Sequence, residues 1–235
     1  MLPKLDVRTL NLAVDRLLEK TTNPRHRFLL AAYARHRLLE VAGRYKEIFA
    51  PDMTVPEPVY HFDLMGAKIV ARGRAQVEGL YRMWAQTHQS VFYIESEEIA
   101  VADHFVSSVT TGYQQVSGKA IRESKLMSYL PSGIVRRLLA HALSKQTHAA
   151  DENDMYLFHA KGVQMIWPYD DQGRLIGEDV WEPEHDSAGF IKLDPKDVLT
   201  TAEAGRLLSP LIKPLPPYPA AAPGATARRA RRVAA

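Results

Sequence analysis

Apolar and polar positions alternate along this chain first with a helical period and then with a strand period. Residues 5–20 place Leu10, Leu12, Val14, Leu17 and Leu18 among charges, the mark of an amphipathic helix. The run TTNPRH follows, where Thr22 or Asn23 can cap a second helix and Pro24 can sit in its first turn. That helix holds Phe28, Leu29, Ala32, Tyr33, His36, Leu39 and Glu40. It is expected to continue, straight or slightly bent, to Phe49, with Gly43 as its weak point and Ala50-Pro51-Asp52 as its end. From Met53 the period shortens. MTVPEPVYHF reads as extended, but Pro56 and Pro58 each lack a backbone donor, so an edge or irregular strand is expected. A turn around Asp63–Gly66 leads to a short strand, KIVAR. Gly73 then opens a third helix, with Val77, Leu80, Tyr81 and Trp84 on one face.

Four more strands follow, broken by one long insertion. SVFYIESEEIAVAD and HFVSSVTTGYQQVSG pair across a turn at Ala102–His104. MYLFHAKGVQMIWPY and RLIGEDVWEP flank the hairpin turn Asp170-Asp171-Gln172-Gly173. Between the pairs, residues 118–154 carry an apolar stripe of Ile134, Leu138, Leu139, Ala142 and Leu143. The spacing predicts a helix over 129–148, acting as a lid or an interaction element. A last short helix is expected within 195–212. Helices first and strands after, with one helix between, is an α+β order. A strongly curved antiparallel sheet packed on about three N-terminal and central helices would enclose a pocket. The resulting division is an N-terminal helical extension at 1–23, a main domain at 24–190 with its insertion at 118–154, a C-terminal helix at 191–213, and a tail at 214–235.

Composition narrows the function classes. The 235 residues hold no cysteine, which removes disulfides, thiolate metal sites and a cysteine nucleophile, and points to a cytoplasmic location. No apolar run reaches the roughly 20 residues of a membrane helix, so no membrane span is expected. The net charge of +3 resides in the tail, where Arg228, Arg229, Arg231 and Arg232 have no acidic neighbour; without them the body stands at −1. A specific nucleic-acid partner is therefore not expected. The tail's five prolines predict disorder and dispensability for folding. The nine histidines show no metal-ligand spacing, and Walker, G-x-G-x-x-G and G-x-S-x-G loops are absent. No metal and no cofactor are expected.

The stretches RYKEIFAPDMTV, the strand ending VYHF, the G-x-x-x-V-x-x-L-Y helix at Gly73–Tyr81, and the pair YLFHAKGVQMIWPYDDQGRLIGEDVWEP together resemble the SnoaL-like branch of the nuclear-transport-factor-two-like superfamily. The likeness rests on order and spacing over about residues 24–185. The insertion at 118–154, the N-terminal helix and the C-terminal extension depart from the family pattern. The resemblance implies a cone-shaped fold with a deep pocket and a homodimer. Relatives include polyketide cyclases, ketosteroid isomerases, limonene-epoxide hydrolases and dehydratases, beside members that only bind ligands or proteins.

Acid–base work on a small molecule needs a histidine or carboxyl against an apolar wall. Candidates at the strand end are Tyr60 and His61, of which strand parity lets only one face the pocket; Asp63 reads as a turn residue. His88, ending the third helix, resembles catalytic histidines of dehydratase relatives, or is a helix-end residue favoured by the dipole. His159 reads as a structural histidine. Ile176, Glu178 and Val180 form one alternating set, which the resemblance turns toward the pocket. A cross-strand ion pair of Glu178 with Lys161 or Arg174 is the competing account. The expected catalytic set is thus His61 or His88 as base, Glu178 as partner or acid, and Tyr60 as oxyanion donor. Tyr81, Trp84, Phe92, Tyr113, Tyr156 and Phe158 are the expected substrate-binding wall. The function expected is cofactor-independent cyclisation, dehydration or isomerisation of a hydrophobic small molecule. The alternatives are a non-catalytic carrier or a dimeric scaffold.

Overall fold

The computed structural model describes residues 5–64, 67–118, 151, 153–183 and 189–219. The helix expected at 129–148 lies outside these residues, as does the tail beyond Pro219. After a 3-10 turn at Val7–Thr9, α1 runs Leu12–Lys20 and α2 Pro24–Val41. Asn23 caps α2 through its side-chain oxygen, which accepts from the amides of Arg25 and His26, with Pro24 in the first turn as expected. The helix does not continue to Phe49. Gly43 adopts φ 69°, and a separate 3-10 turn covers Tyr45–Phe49. A Cβ at Gly43 would lie 2.5 Å from the Thr201 methyl, so the break also makes room for the last helix, α4 (Thr201–Leu208). A Thr200–Glu203 capping box starts α4.

Seven strands make one curved, unclosed sheet: β1 Thr54–Leu64, β2 Ala67–Arg72, β3 Phe92–Ala102, β4 Phe105–Ser117, β5 Met155–Pro168, β6 Leu175–Trp181 and β7 Gly189–Lys192. The helix α3 (Gly73–Gln86) stands between β2 and β3. The order is β2-β1-β6-β5-β4-β3, with β7 added on β5. All neighbours are antiparallel except β1 and β6. The proline-bearing β1 is not an edge strand. Its ladder to β2 begins only at Val59↔Arg72, and its pairing with β6 is irregular between Thr54 and Val59. Pro56 and Pro58 thus fall where no continuous ladder asks for their missing donors. The strand β7 was not expected from the sequence; four residues carry too little alternation to be seen.

Curvature comes from irregularities at Ile94/Ser96 and Thr110/Gly112. A Cβ on Gly112 would lie 2.3 Å from the Tyr93 carbonyl oxygen, so only glycine allows β3 and β4 to approach there. The concave side receives α1, α2 and α3, and the main core gathers Leu29, Tyr33, Ile48, Tyr60, Val77, Tyr81, Val106 and Trp167 between the layers. A second cluster joins Val7 and Leu10 to Leu38, Val41, Ala204 and Leu208, tying both chain ends to α2. Among the described residues no helix is long and apolar enough to cross a membrane.

Two residues of the segment expected to be a dispensable tail contact the body. Leu215 and Tyr218 pack on the main core. The Tyr218 ring meets Phe28 edge-on at 4.9 Å, and its hydroxyl donates to the Asp171 carbonyl (2.7 Å) and touches Arg25. Truncation after Ile212, or Tyr218→Ala, is therefore expected to lower Tm by about 2–6 °C, since an aromatic pair with its burial contributes about 1–2 kcal/mol in a chain of this size. An unchanged melting curve would return Tyr218 to the tail.

Candidate functional site

The long helix α2 is buried on nearly every side, so its polar side chains need partners inside the protein. Arg37 finds one across the layer: its Nη1 donates to both oxygens of Glu97 on β3, at 3.0 and 2.9 Å. The two side chains are 3% and 1% exposed. The Tyr33 hydroxyl, one turn earlier, donates to Glu97 at 2.8 Å and lies 3.3 Å from the Ser108 hydroxyl. Its ring lies beneath the Arg37 guanidinium (5.0 Å) and meets Trp167 edge-on at 4.8 Å.

Beside this cluster is a cavity of about 170 Å³. Tyr33, Arg37 and Glu40 line it from α2, Trp84 from α3, Phe92, Thr110, Tyr113, Phe158 and Trp167 from the sheet, and Glu178 from β6. Most of that wall is apolar or aromatic. Neither Glu40 nor Glu178 forms a hydrogen bond or ion pair with another described side chain. Arg174, offered above as a partner for Glu178, is held instead by Asp170 at 2.7 Å. Burial drives both carboxyls toward the neutral form. It pushes Glu40 up to about 8 against the pull of Arg37. Glu178 rises well above its ordinary value through burial, and then through the neighbouring Glu40 and Asp179.

Tyr60 faces Glu178 across the β1–β6 register and is 1% exposed. Its hydroxyl lies 3.4 Å from that of Tyr81, which in turn lies 2.8 Å from Nε2 of His36. Burial, helped by Arg37, holds His36 down to about 3, so its ring is neutral in ordinary buffers. A buried polar array thus runs from α2 through α3 to the strand behind Glu178.

The structure does not bring the candidate histidines to this cavity. His61 turns to the opposite, outer face, where its Nδ1 lies 2.6 Å from Asp179 and both side chains are about half exposed. Parity decides this: Tyr60 and Glu178 go in, their sequence neighbours His61 and Asp179 go out. Ile176, grouped with Glu178 above, is 40% exposed because alternation slips at Gly177, while Val180 stays inside. His88 ends α3 in the left-handed region (φ 59°), and its Nδ1 accepts from the Thr201 amide at 3.2 Å. It joins α3 to the start of α4. Of the expected binding wall, Trp84, Phe92, Tyr113 and Phe158 line the cavity; Tyr81 lies behind it, and Tyr156 packs elsewhere with Val116 and Phe190. Asp63 is 3.3 Å from Lys68 across the turn, and His159 stacks on Tyr113 while 3.1 Å from Glu95.

Sequence reasoning missed Arg37, Glu40 and Glu97. The available signal was the spacing of Tyr33, Arg37 and Glu40 at i, i+4 and i+7 on a helix whose other faces are also apolar. A second, larger hollow of about 690 Å³ crosses the outer sheet face. Among the described residues no group of three or more His, Asp or Glu could hold a metal ion.

The geometry defines an α+β protein whose curved, unclosed sheet and helices line a cavity holding two carboxyls with no partner among the described side chains. The chain matches no known family profile and no curated protein. Among solved structures it is similar to an NTF2-like protein from Anabaena variabilis, with 8% identity, a TM-score of 0.36, and coverage of 77% of this chain and 94% of that one. It is also similar to the CaMKII hub of S. rosetta, with 10% identity, a TM-score of 0.34, and coverage of 77% and 98%. At these levels neither assigns a role to a residue here.

The buried titratable groups fix a pH signature. Glu40, raised from 4.5 to about 8, and Glu178, raised well above its ordinary value, bind protons more tightly folded than unfolded. Their contribution is full below pH 4.5 and is lost as pH rises through the folded values. His36, lowered from 6.5 to about 3, acts in the opposite sense but only below pH 6.5. Between pH 6.5 and 8.5 Glu40 and Glu178 contribute a slope of one sign, so Tm should fall as pH rises. Glu40→Gln should flatten that slope; a slope unchanged in the variant would show that Glu40 ionises freely.

Proposed function

We propose that the chain is a cofactor-independent enzyme that moves protons on a small hydrophobic molecule held in the inner cavity. The reaction class is isomerisation, dehydration or cyclisation, each of which takes a proton from carbon and returns one to oxygen or to another carbon. The observation that supports it is the pair Glu40 and Glu178: two carboxyls facing one apolar cavity, with no partner among the described side chains. Two acids whose environments separate their proton affinities divide the roles of base and acid. Glu40, near 8, has a usable carboxylate fraction at neutral pH and acts as base. Glu178 keeps its proton and acts as acid. Tyr60, backed by Tyr81 and His36, positions Glu178 from the facing strand. His61 and His88 take no part in this reading.

A second reading concerns assembly. Val70, Val109, Ile166 and Trp181 are each 45–48% exposed and line the outer trough beside His61, Asp179, Asp63 and Lys68. An apolar face rimmed by both signs of charge suits a second copy of the chain, so a homodimer through the outer face accompanies the enzymatic reading.

The acid–base reading is tested by following deuterium uptake from solvent at the α-carbons of phenylacetone and phenylpyruvate by NMR. The chain is expected to accelerate uptake for at least one of them. Glu178→Gln and Glu40→Gln should each cut that rate by roughly 10²–10⁴-fold with no loss of Tm. If the chain accelerates neither exchange, or if both variants keep the full rate, the cavity is that of a carrier.

A further inference from the structure

The cavity wall includes polar atoms that no described residue satisfies. Three of its residues each hold a buried polar atom without a hydrogen-bond partner: Arg37 Nη2, Trp167 Nε1 and the Thr110 hydroxyl. Buried polar atoms left unpaired are uncommon, because each forfeits its hydration for nothing. These three are not scattered. Thr110 is the direct cross-strand partner of Glu97, to which Arg37 is bound, and Trp167 meets the Tyr33 ring that underlies Arg37. All three can donate, and one is a cation.

We propose that the inner cavity takes a single-ring aromatic carboxylate, its carboxylate received by Arg37, Trp167 and Thr110 and its ring by Trp84, Phe92, Tyr113 and Phe158. This rests on the assignment of the cavity as the ligand site and names the ligand class. Size selects the ring: a cavity of roughly 150 Å³ holds a benzene molecule, and this one measures about 170 Å³. Donor count selects the head group. A ketone or ester carbonyl offers one oxygen with two lone pairs to three separate donors, whereas a carboxylate offers two oxygens with about four acceptor positions. The guanidinium supports the same choice, since its Nη1 is committed to Glu97 while Nη2 remains free. Glu40 and Glu178 do not oppose an incoming anion while they hold their protons.

The test is calorimetric titration of the full chain at pH 6.5 with benzoate, benzamide and toluene, with the site located by NMR shift perturbation. Benzoate is expected to bind at the cavity residues, at least tenfold more tightly than benzamide or toluene. Thr110→Val, which keeps the side-chain shape, and Trp167→Phe, which keeps an aromatic ring, should each weaken benzoate about tenfold or more. Toluene binding should change by less than about threefold in Thr110→Val. The proposal is overturned by any of four results: no benzoate binding, benzamide or toluene binding as tightly as benzoate, perturbations confined to the outer face, or benzoate affinity unmoved in both variants. Glu178→Gln separates this from the catalytic reading. It should leave benzoate affinity within about threefold while cutting proton exchange by roughly 10²–10⁴-fold. Binding without any effect on exchange sinks the enzyme and leaves the ligand class standing.

Discussion

The ion pair between Arg37 and Glu97 sets the geometry on which the interior depends, because it ties the buried helix α2 to the sheet strand β3 at one point. Two charges with almost no exposure hold each other, and the Tyr33 hydroxyl takes a further bond to Glu97. Removing one partner would leave the other charge buried and uncompensated, at about 3–5 kcal/mol. The pair therefore fixes the rotation of α2 about its axis. Once Arg37 faces Glu97, Glu40 follows one turn later on the same face and looks toward Glu178 across the cavity. The position of Glu40 follows from that contact, while strand parity on β6 places Glu178.

Strand parity then divides like residues into unlike chemistry. On β1 and β6 the pairs Tyr60/His61 and Glu178/Asp179 are register partners, so one carboxyl and one hydroxyl go in while one carboxyl and one imidazole go out. Outside, His61 and Asp179 meet in water, where a close pair contributes little. Inside, the same kind of carboxyl loses its solvent and becomes an acid. The larger hollow on the outer face thus keeps its charged side chains in water, and the smaller one buries its carboxyls.

Most of the fold was legible from period alone. The α+β order, the third helix and the two strand pairs follow the alternation of apolar positions to within a few residues. What was missed had no periodic trace. The end of α2 at Val41 depends on Gly43 making room for Thr201, a contact some 160 residues away in sequence, roughly from one end of the domain to the other. The central place of β1 was obscured by Pro56 and Pro58, which signal an edge until the irregular pairing before Val59 is known. For the site, parity could say that only one of Tyr60 and His61 faces inward, and four of the six expected wall aromatics line the cavity. His88 drew notice because a histidine at a helix end resembles a catalytic one, yet its ring nitrogen is occupied by the Thr201 amide. Arg37 and Glu40 were passed over because charges on a helix are usually solvated. Only the packing of apolar residues on every side of α2 makes them interior groups.

That the cavity holds a cation and two carboxyls without collapsing into a salt-bridge network follows from where the cation's charge is committed. Glu97 accepts two bonds from Arg37 Nη1 and one from the Tyr33 hydroxyl, so the field that reaches Glu40 is that of a pair rather than of a free guanidinium. Arg37 still pulls Glu40 toward ionisation, but burial outweighs it, and Glu178, facing a second carboxyl as well as the apolar wall, is held neutral more firmly. Had Glu97 been neutral, the guanidinium would draw Glu40 into an ion pair, and the cavity would lose both its graded acids and its open donor edge. The ion pair on the strand side thus leaves the two cavity carboxyls without a salt-bridge partner among the described side chains.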